Sequence, residues 1–122
     1  MNKFLLVVSF ISILLTSACN QKNNCEQLTK QFSTYDEAVK KIKSSNFKIN
    51  EEANTSKSSW IKGASFYSCD GILGYFILIT DKREYLYSEM PYSVWLEFKN
   101  AESFGSFYND KIKHKYIFNL SK

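Results

Sequence analysis

The chain has 122 residues, 44% hydrophobic and 16% aromatic, which suits one folded domain with one core. Its 16 Lys and Arg against 12 Asp and Glu give a net charge of +4, a mildly basic balance that lacks the dense positive field of a dedicated nucleic-acid binder. Four Gly and one Pro exclude a collagen-like or low-complexity chain, and the 10 Phe and 8 Tyr favour a folded chain over a disordered one.

The first 18 residues are predicted to be the signal peptide of a bacterial lipoprotein. Lys3 supplies a short positive start, residues 4–15 form an almost unbroken apolar run, and small residues lead to Cys19. Residues 15–19 resemble a lipobox, in which the cysteine sulfur becomes a thioether to diacylglycerol and the mature chain carries acyl chains such as palmitate. An ordinary secretory signal and a transmembrane helix are the alternatives, but about a dozen apolar residues are fewer than the ~20 that span a bilayer.

Lipidation at Cys19 predicts an exported protein that its N-terminal lipid holds on a membrane. Several acyl chains bind a bilayer far more firmly than one, because each buried CH₂ contributes ~0.8 kcal/mol. By analogy with other lipoproteins, Asn20 favours the outer membrane, on its periplasmic or surface side, if the host is Gram-negative. Removal of residues 1–18 takes away one charge, that of Lys3, and leaves 15 positive and 12 negative side chains, net +3.

Residues 19–30 are polar and lack apolar periodicity, which is typical of a solvated tether, and residues 31–122 are predicted to form a single domain. Besides Cys19, the chain has Cys25 in the tether and Cys69 in the domain. Because export implies an oxidising compartment, these two cysteines can pair in a disulfide, which would add ~2 to 4 kcal/mol if the geometry allows it. Two separate thiols are the alternative, and a thiol count on unreduced protein distinguishes them.

A short amphipathic helix is predicted over residues 33–45. Ser33 or Thr34 can cap its N-terminus, and acidic residues in the first turn and lysines in the last turn suit the helix dipole. Its apolar stripe has helical spacing and consists of Tyr35, Ala38, Val39 and Ile42. The polar residues 46–57 that follow are predicted to form a loop.

Three strands are predicted next, and the short links between them indicate an antiparallel meander. The first, residues 58–67, changes the parity of its apolar side chains near Gly63, which predicts a β-bulge there. The second, residues 75–80, is apolar on both parities, so we expect it to be central or covered on both faces. The third, residues 84–88, follows a polar turn.

Pro91 is expected at the first position of a helix, where its missing N–H costs nothing. The apolar face of this helix must lie on the sheet, because a meander alone leaves its own apolar face in water. Ser103 is the predicted N-cap of a second short helix, in which Gly105 indicates close backbone packing. Residues 111–118 are expected to add a short final strand. The predicted fold class is α+β, with an N-terminal helix, a three-stranded antiparallel meander and two short C-terminal helices packed on the sheet.

Several spaced residues between positions 58 and 116 resemble the KTSC domain family. The matching segments are Tyr85-Leu86-Tyr87, Met90-Pro91, residues 101–109, Ile112 and Tyr116. The family is named for its occurrence at the C-terminus of some lysyl-tRNA synthetases, and it also occurs as small stand-alone bacterial proteins. The resemblance implies a small α+β domain; the function of the family is unassigned, and RNA binding has been suggested for it.

The residues that catalysis needs are scarce or scattered. His114, the sole histidine, lies among three lysines and has no neighbouring carboxylate to orient it. One histidine and two scattered cysteines lack the spacing of a zinc site, and no Gly-rich loop opens a helix to hold a phosphate. The acidic residues are interpreted as solvated surface groups rather than as a catalytic pair. We therefore expect no enzymatic activity, no cofactor and no metal.

The remaining candidate is a binding surface. Tyr85 and Tyr87 lie on one face of their strand, where aromatic rings can stack on bases or sugars. Five basic residues can supply a positive field, and these are Lys82, Arg83, Lys111, Lys113 and Lys115. The alternative is that both tyrosines belong to the core, as tyrosines at strand spacing beside a packed helix commonly do.

The leader and the lack of a catalytic set predict a membrane-anchored envelope lipoprotein. Its small non-enzymatic domain is predicted to be a protein-binding or structural module for an unknown envelope protein partner. The alternative is a nucleic-acid-binding module, with RNA as the ligand suggested for the family. A lipid-anchored exported protein seldom meets RNA, so the predicted compartment disfavours nucleic acid.

Overall fold

The computed structural model describes Cys25, Leu28 and residues 32–120. The predicted signal peptide, the predicted lipidation site Cys19 and most of the predicted tether lie outside the described residues. Within this part of the chain, none of the helices combines the length and the hydropathy that a bilayer crossing requires.

The described residues form four strands, three α-helices and one π-helical turn. In chain order they are α1 (Tyr35–Ser44), β1 (Ile49–Ala53), β2 (Ile61–Ser68), β3 (Leu73–Thr80), β4 (Glu84–Pro91), α2 (Tyr92–Lys99), α3 (Phe104–Phe107) and the π-helical turn (Tyr108–Ile112). The strands form one antiparallel sheet in the order β1-β2-β3-β4. The chain is therefore α+β overall, but the prediction of a three-stranded meander is wrong, because the sheet has four strands.

The strand that the sequence pattern missed is β1, which lies within the predicted loop of residues 46–57. Its backbone pairs with β2 from Ile49 opposite Ser68 to Ala53 opposite Ala64. The pattern looks like a loop because the central residue Glu51 is charged, and its carboxylate bonds to side chains of α2. A buried strand would carry an apolar residue there, whereas an edge strand can keep polar residues on both sides.

The predicted N-terminal helix is confirmed as α1. The Thr34 hydroxyl oxygen accepts the N–H of Glu37 at 3.1 Å, and the Glu37 carboxylate accepts the N–H of Ser33 at 2.9 Å. This reciprocal cap satisfies backbone groups that the first turn leaves unpaired. The buried side of the helix consists of Ala38, Val39 and Ile42, and it packs on one face of the sheet.

The central strand β3 is covered on both faces, as its apolar pattern predicts. Ile77 belongs to the cluster under α1, whereas Phe76 and Leu78 belong to the larger cluster under the C-terminal helices. All three side chains are fully buried. The predicted bulge is also confirmed, because the pairing of β2 with β3 shifts register between Ile61 and Gly63.

The junction between β4 and α2 differs by one residue from the prediction. Pro91 pairs with Leu73 at the end of β4 and is extended, with ψ of 141°, so it is the N-cap of α2 rather than its first helical residue. The helix begins at Tyr92, whose N–H donates to the carbonyl oxygen of Ile72 at 2.8 Å. The sheet pairing of Pro91 therefore delays the helix by one position.

The C-terminal part of the described chain covers the outer edge of β4. Ser103 caps α3 as predicted, since its hydroxyl oxygen accepts the N–H of Ser106 at 3.2 Å. The expected final strand is reduced to one isolated bridge between Tyr87 and Ile117, next to a hydrogen bond from the Ser88 N–H to the Tyr116 carbonyl oxygen.

A disulfide joins Cys25 to Cys69, with the two Cα atoms 5.8 Å apart. Cys25 is also held by its backbone, because its N–H donates to the carbonyl oxygen of Asn46 at 2.9 Å. Cys69 directly follows β2, so the bond connects the predicted tether to the turn between β2 and β3.

Candidate functional site

A cleft of about 390 Å³ lies at the end of the sheet where β2 begins and β3 turns into β4. The π-helical turn contributes another side. The lining residues are Trp60, Thr80, Asp81, Lys82, Tyr85, Tyr108, Asn109 and Lys113. Three aromatic side chains and two lysines therefore meet in one space, whose size falls in the range of ligand pockets.

Trp60 is the exposed aromatic residue of the cleft. Its side chain is 39% exposed, and its ring meets that of Tyr108 edge to face, with the ring centroids 5.8 Å apart. The indole also lies against α3 at Gly105, where an added Cβ would come within 2.7 Å of the Trp60 Nε1 atom. The close packing predicted for Gly105 is thus contact with this indole.

Tyr108 contacts both the cleft and the core. Its hydroxyl group is hydrogen-bonded to that of Tyr87, and both side chains are buried. Burial raises the pKa of both phenols, so both stay neutral and can act as donors to each other. Tyr87, one of the two predicted binding tyrosines, therefore lies in the core and does not line the cleft.

Tyr85, the other predicted binding tyrosine, is half-buried and lines the cleft. The guanidinium of Arg83 lies 5.0 Å from the centroid of its ring and 5.0 Å from that of Tyr35 in α1. Both contacts have cation–π geometry. Arg83 lines a separate depression with Asp36 and Val39, so it connects β4 to α1 rather than facing the cleft.

Two of the predicted lysines line the cleft and two do not. Lys82 comes from the turn between β3 and β4, and Lys113 follows the π-helical turn. Lys111 and Lys115 are exposed and lie outside the lining. Of the seven predicted binding residues, the cleft collects Tyr85, Lys82 and Lys113.

Sequence reasoning missed Trp60 and Tyr108 as members of this site. Trp60 precedes the bulge in β2, so strand parity does not predict which way its side chain points. Tyr108 is one of the residues that mark the short helix predicted after Ser103. The usable signal was Gly105, because a glycine inside a predicted helix indicates close approach of another group, which here is the Trp60 indole.

The side chains that line the cleft are suited to binding a ligand or partner. Flat aromatic faces suit an apolar or planar group, and the lysines suit an anionic group beside it. Asp81 is the one acid among the described residues of the lining, and the exposed His114 lies outside it. Among the residues that the structure describes, no group of three or more His, Cys, Asp or Glu is placed to hold a metal ion.

Comparisons with known proteins match the part of the chain that forms the cleft to one family model. A search of curated proteins and a search of solved structures each return no match. A scan of family models matches residues 57–116 to the KTSC domain, which confirms the resemblance seen over residues 58–116. All eight residues of the cleft lining fall inside the matched range, whereas α1 and β1 precede it. The chain therefore contains a KTSC domain, which spans residues 57–116.

Proposed function

We propose that the chain is an exported, lipid-anchored module of the bacterial envelope that binds another envelope protein through the cleft and catalyses no reaction. The lipobox-like stretch that ends at Cys19 supports the anchor. One observation carries the binding role, namely that three aromatic side chains line the same cleft as two lysines.

The lining favours a partner segment that presents an apolar or aromatic side chain next to an acidic one. Trp and Tyr contribute strongly at protein interfaces, because rigid rings bury a large area and lose little entropy. Lys82 and Lys113 outnumber Asp81, the one acid of the lining, and would pair with carboxylates of the partner.

The absence of catalysis is proposed from the composition of the cleft. General acid–base or nucleophilic catalysis needs at least two suitably placed groups. Among the described residues of the lining, Asp81 has no histidine, cysteine or second acid beside it. A hydrolytic activity that disappears in a His114→Ala variant would contradict this part of the proposal.

Photocrosslinking of the intact lipidated protein in cells tests the binding role. A photoreactive amino acid in place of Asn109, an exposed residue of the lining, should capture an envelope protein. The Lys82→Glu/Lys113→Glu variant should reduce the product by about tenfold or more, because it reverses both positive charges of the lining. The matched Lys111→Glu/Lys115→Glu variant reverses two charges outside the lining and should retain most of the product. Equal capture by both variants overturns the binding role.

The anchor is tested separately by a Cys19→Ala variant. We expect this variant to accumulate as an unprocessed precursor and to incorporate no labelled fatty acid, whereas the natural chain incorporates label. A natural chain that takes up no fatty acid overturns the anchor and leaves the cleft proposal standing.

RNA is the second candidate ligand, because an exposed tryptophan beside lysines also suits stacking on unpaired bases. The predicted export argues against it. Fluorescence anisotropy with a labelled single-stranded RNA of about 12 nucleotides distinguishes the two ligands. Binding that weakens steeply with salt and is lost in Trp60→Ala would favour RNA, and no binding at low salt removes this candidate.

A further inference from the structure

The turn between β2 and β3 exposes two adjacent aliphatic side chains. Ile72 is 67% exposed and Leu73 is 44% exposed. Ile72 has the largest exposed fraction among the large hydrophobic side chains that the structure describes as exposed. Removing adjacent exposed aliphatic side chains from water is favourable, which makes this pair a candidate contact surface.

The outward position of this pair is determined by hydrogen bonds within the turn. Asp70 Oδ1 accepts the N–H of Ile72 at 2.8 Å and that of Leu73 at 3.1 Å. The Ser68 hydroxyl donates to the Leu73 carbonyl oxygen at 2.6 Å and accepts the N–H of Gly71 at 2.9 Å. Gly71 has φ of +80°, a conformation that side chains disfavour. The turn therefore holds the aliphatic pair in water by specific bonds.

The disulfide attaches the predicted tether to this same turn. Cys19 and Cys25 are six residue steps apart. An extended chain spans at most ~3.6 Å per step, so their Cα atoms lie within ~22 Å of each other. Without the bond, the first apolar side chain that packs on the core is that of Leu28, nine steps from Cys19, and the chain to it reaches up to ~32 Å. The disulfide thus shortens the maximum reach of the tether from Cys19 to the folded domain by about a third, and it attaches the tether at the turn itself.

The cleft lies at the other end of the sheet. Trp60 precedes the first residue of β2 and Cys69 follows the last. Nine residue steps at ~3.3 Å each separate the two Cα atoms by roughly 30 Å along the strand.

The charges near the turn do not favour an anionic surface. The ammonium of Lys48 lies beside Gly71, where an added Cβ would be 3.9 Å from its Nζ atom. Asp70 lies in the turn, and Glu89 lines the same depression as Leu73. Among the charged side chains that the structure describes here, one cation faces two carboxylates and gives no net attraction for anionic headgroups, so the inference rests on burial of the aliphatic pair.

We infer that Ile72 and Leu73 insert into the surface of the bilayer that carries the Cys19 lipid, so that this end of the sheet faces the membrane and the cleft opens away from it. The inference rests on the lipid anchor proposed above. The short, disulfide-bonded tether brings the acyl chains of the bilayer within reach of this pair. Acyl chains are apolar, as are the two side chains. The cleft, roughly 30 Å away along β2, stays accessible to a partner protein.

Quenching by brominated lipid tests this orientation in the lipidated mature protein. An Ile72→Trp variant is reconstituted in phosphatidylcholine vesicles with and without bromine on the acyl chains. We expect bromine to lower its tryptophan emission by about a third, because one of its three indoles enters the lipid. The natural chain is the matched control and should change little, since Trp60 lies at the far end of β2 and Trp95 is buried.

A second variant tests the role of the disulfide. Ile72→Trp combined with Cys25→Ser/Cys69→Ser keeps the lipid but releases the turn from the tether. We expect bromine to quench this variant about half as strongly as Ile72→Trp alone, because the longer connection lowers the local concentration of the turn at the bilayer. Unchanged quenching would show that the disulfide does not position the turn, and circular dichroism checks that the variant is folded.

The quenching and vesicle-binding results distinguish the ways in which the inference can be wrong. Vesicle-bound Ile72→Trp protein without quenching overturns the inference, as does equal quenching of the natural chain, which would place the cleft end in the lipid. Chemical crosslinking that yields dimers, together with an unquenched indole at position 72, would assign the aliphatic pair to a second copy and also overturns it. Protein that does not stay on the vesicles overturns the lipid anchor, and the inference with it.

Discussion

The two ends of the sheet both expose apolar side chains, but they hold different chemistry. At the β2–β3 turn, Ile72 and Leu73 are aliphatic, and the charged side chains described near them are one lysine and two acids. A hydrogen-bonded turn next to a disulfide holds the pair outward. At the cleft, Trp60 and Tyr85 are aromatic and share their space with two lysines. The first chemistry suits unspecific contact with lipid, and the second suits a specific polar partner. In the arrangement proposed above, the length of the sheet separates membrane attachment from partner recognition.

One aromatic core lies between these ends. Trp95 of α2 stacks on Phe66 of β2 and on Phe98, with ring centroids 5.7 and 5.8 Å apart. A change at either end should therefore stay local, whereas a change at the core should affect both ends.

Loss of the disulfide should have the largest effect, and it should appear at the turn end. We expect Cys25→Ser/Cys69→Ser to lower the free energy of unfolding by ~2 to 4 kcal/mol, because the bond closes a long loop with 44 residues of separation. Urea denaturation measures this loss. Hydrogen exchange should show faster opening of the turn than of residues around Lys82, and uniform acceleration at both ends would contradict the comparison.

Glu51→Gln should destabilise both ends of the sheet alike, because the Glu51 side chain connects β1 to α2 across the core. Its carboxylate accepts from the Lys99 Nζ at 2.6 Å, the Trp95 Nε1 at 2.9 Å and the Tyr92 hydroxyl at 2.8 Å. We expect a loss of about 1 to 2 kcal/mol at neutral pH, since exposure of about a third of the side chain screens the ion pair. Glu52→Gln, at an exposed position of the same strand, is the matched control and should change little.

The same site determines how stability depends on acid. Hydrogen bonds from Lys99 and then Trp95 lower the pKa of Glu51 from 4.5 to about 2. Because this folded-state pKa lies below the unfolded-state value, the stabilisation is complete above 4.5 and is lost as the pH falls toward 2. Unfolding curves measured across this range should converge for the natural chain and Glu51→Gln, and a constant difference at all pH values would contradict the assignment.

Gly105→Ala should change the cleft end with little effect on stability. The added Cβ conflicts with the Trp60 indole, which is exposed enough to move outward. We expect the free energy of unfolding to change by less than about 1 kcal/mol, because the gain in helix propensity offsets the steric conflict. Tryptophan emission should shift to the red and capture of a partner at the cleft should fall. Ser106→Ala, which leaves the glycine in place, should do neither.

Acidification should destabilise the turn between β2 and β3 by a smaller, local effect. Hydrogen bonds from the backbone N–H groups of Ile72 and Leu73 lower the pKa of Asp70 below 3.8. The turn is therefore stabilised above that value and loses this contribution as the pH falls through the lowered pKa. Amide exchange at both residues, corrected for the intrinsic rate, should speed up on acidification and become insensitive to it in Asp70→Asn. Simultaneous loosening around Trp60 would contradict the separation of the ends.

The elements that the sequence predicts well are those determined by nearby residues. Thr34 and Glu37 form the cap of α1 within four residues, and the apolar pattern of β3 identifies the strand that is covered on both faces. The parity change near Gly63 likewise predicts the bulge. Each of these signals acts over less than one turn or one strand, so the local pattern carries it.

The elements that the sequence does not predict depend on residues far away in the chain. β1 was missed because Glu51 is stabilised by Lys99, which is 48 residues away. The predicted helix start at Pro91 is wrong by one position, because Pro91 pairs with Leu73 in the sheet. For the candidate site, Tyr85 was found from strand spacing, but only the packing of α3 brings Trp60 and Tyr108 together.

By itself, the sequence determined the α+β class, the capped helix, the central strand and the resemblance that the family match confirms. Only the tertiary structure decided that the sheet has a fourth strand, that Tyr87 lies in the core and that Tyr85 lines a cleft. The physical reason is that caps and periodicity are short-range interactions, whereas the partner of a charged strand residue or of an exposed ring is chosen by which distant segments the fold brings into contact.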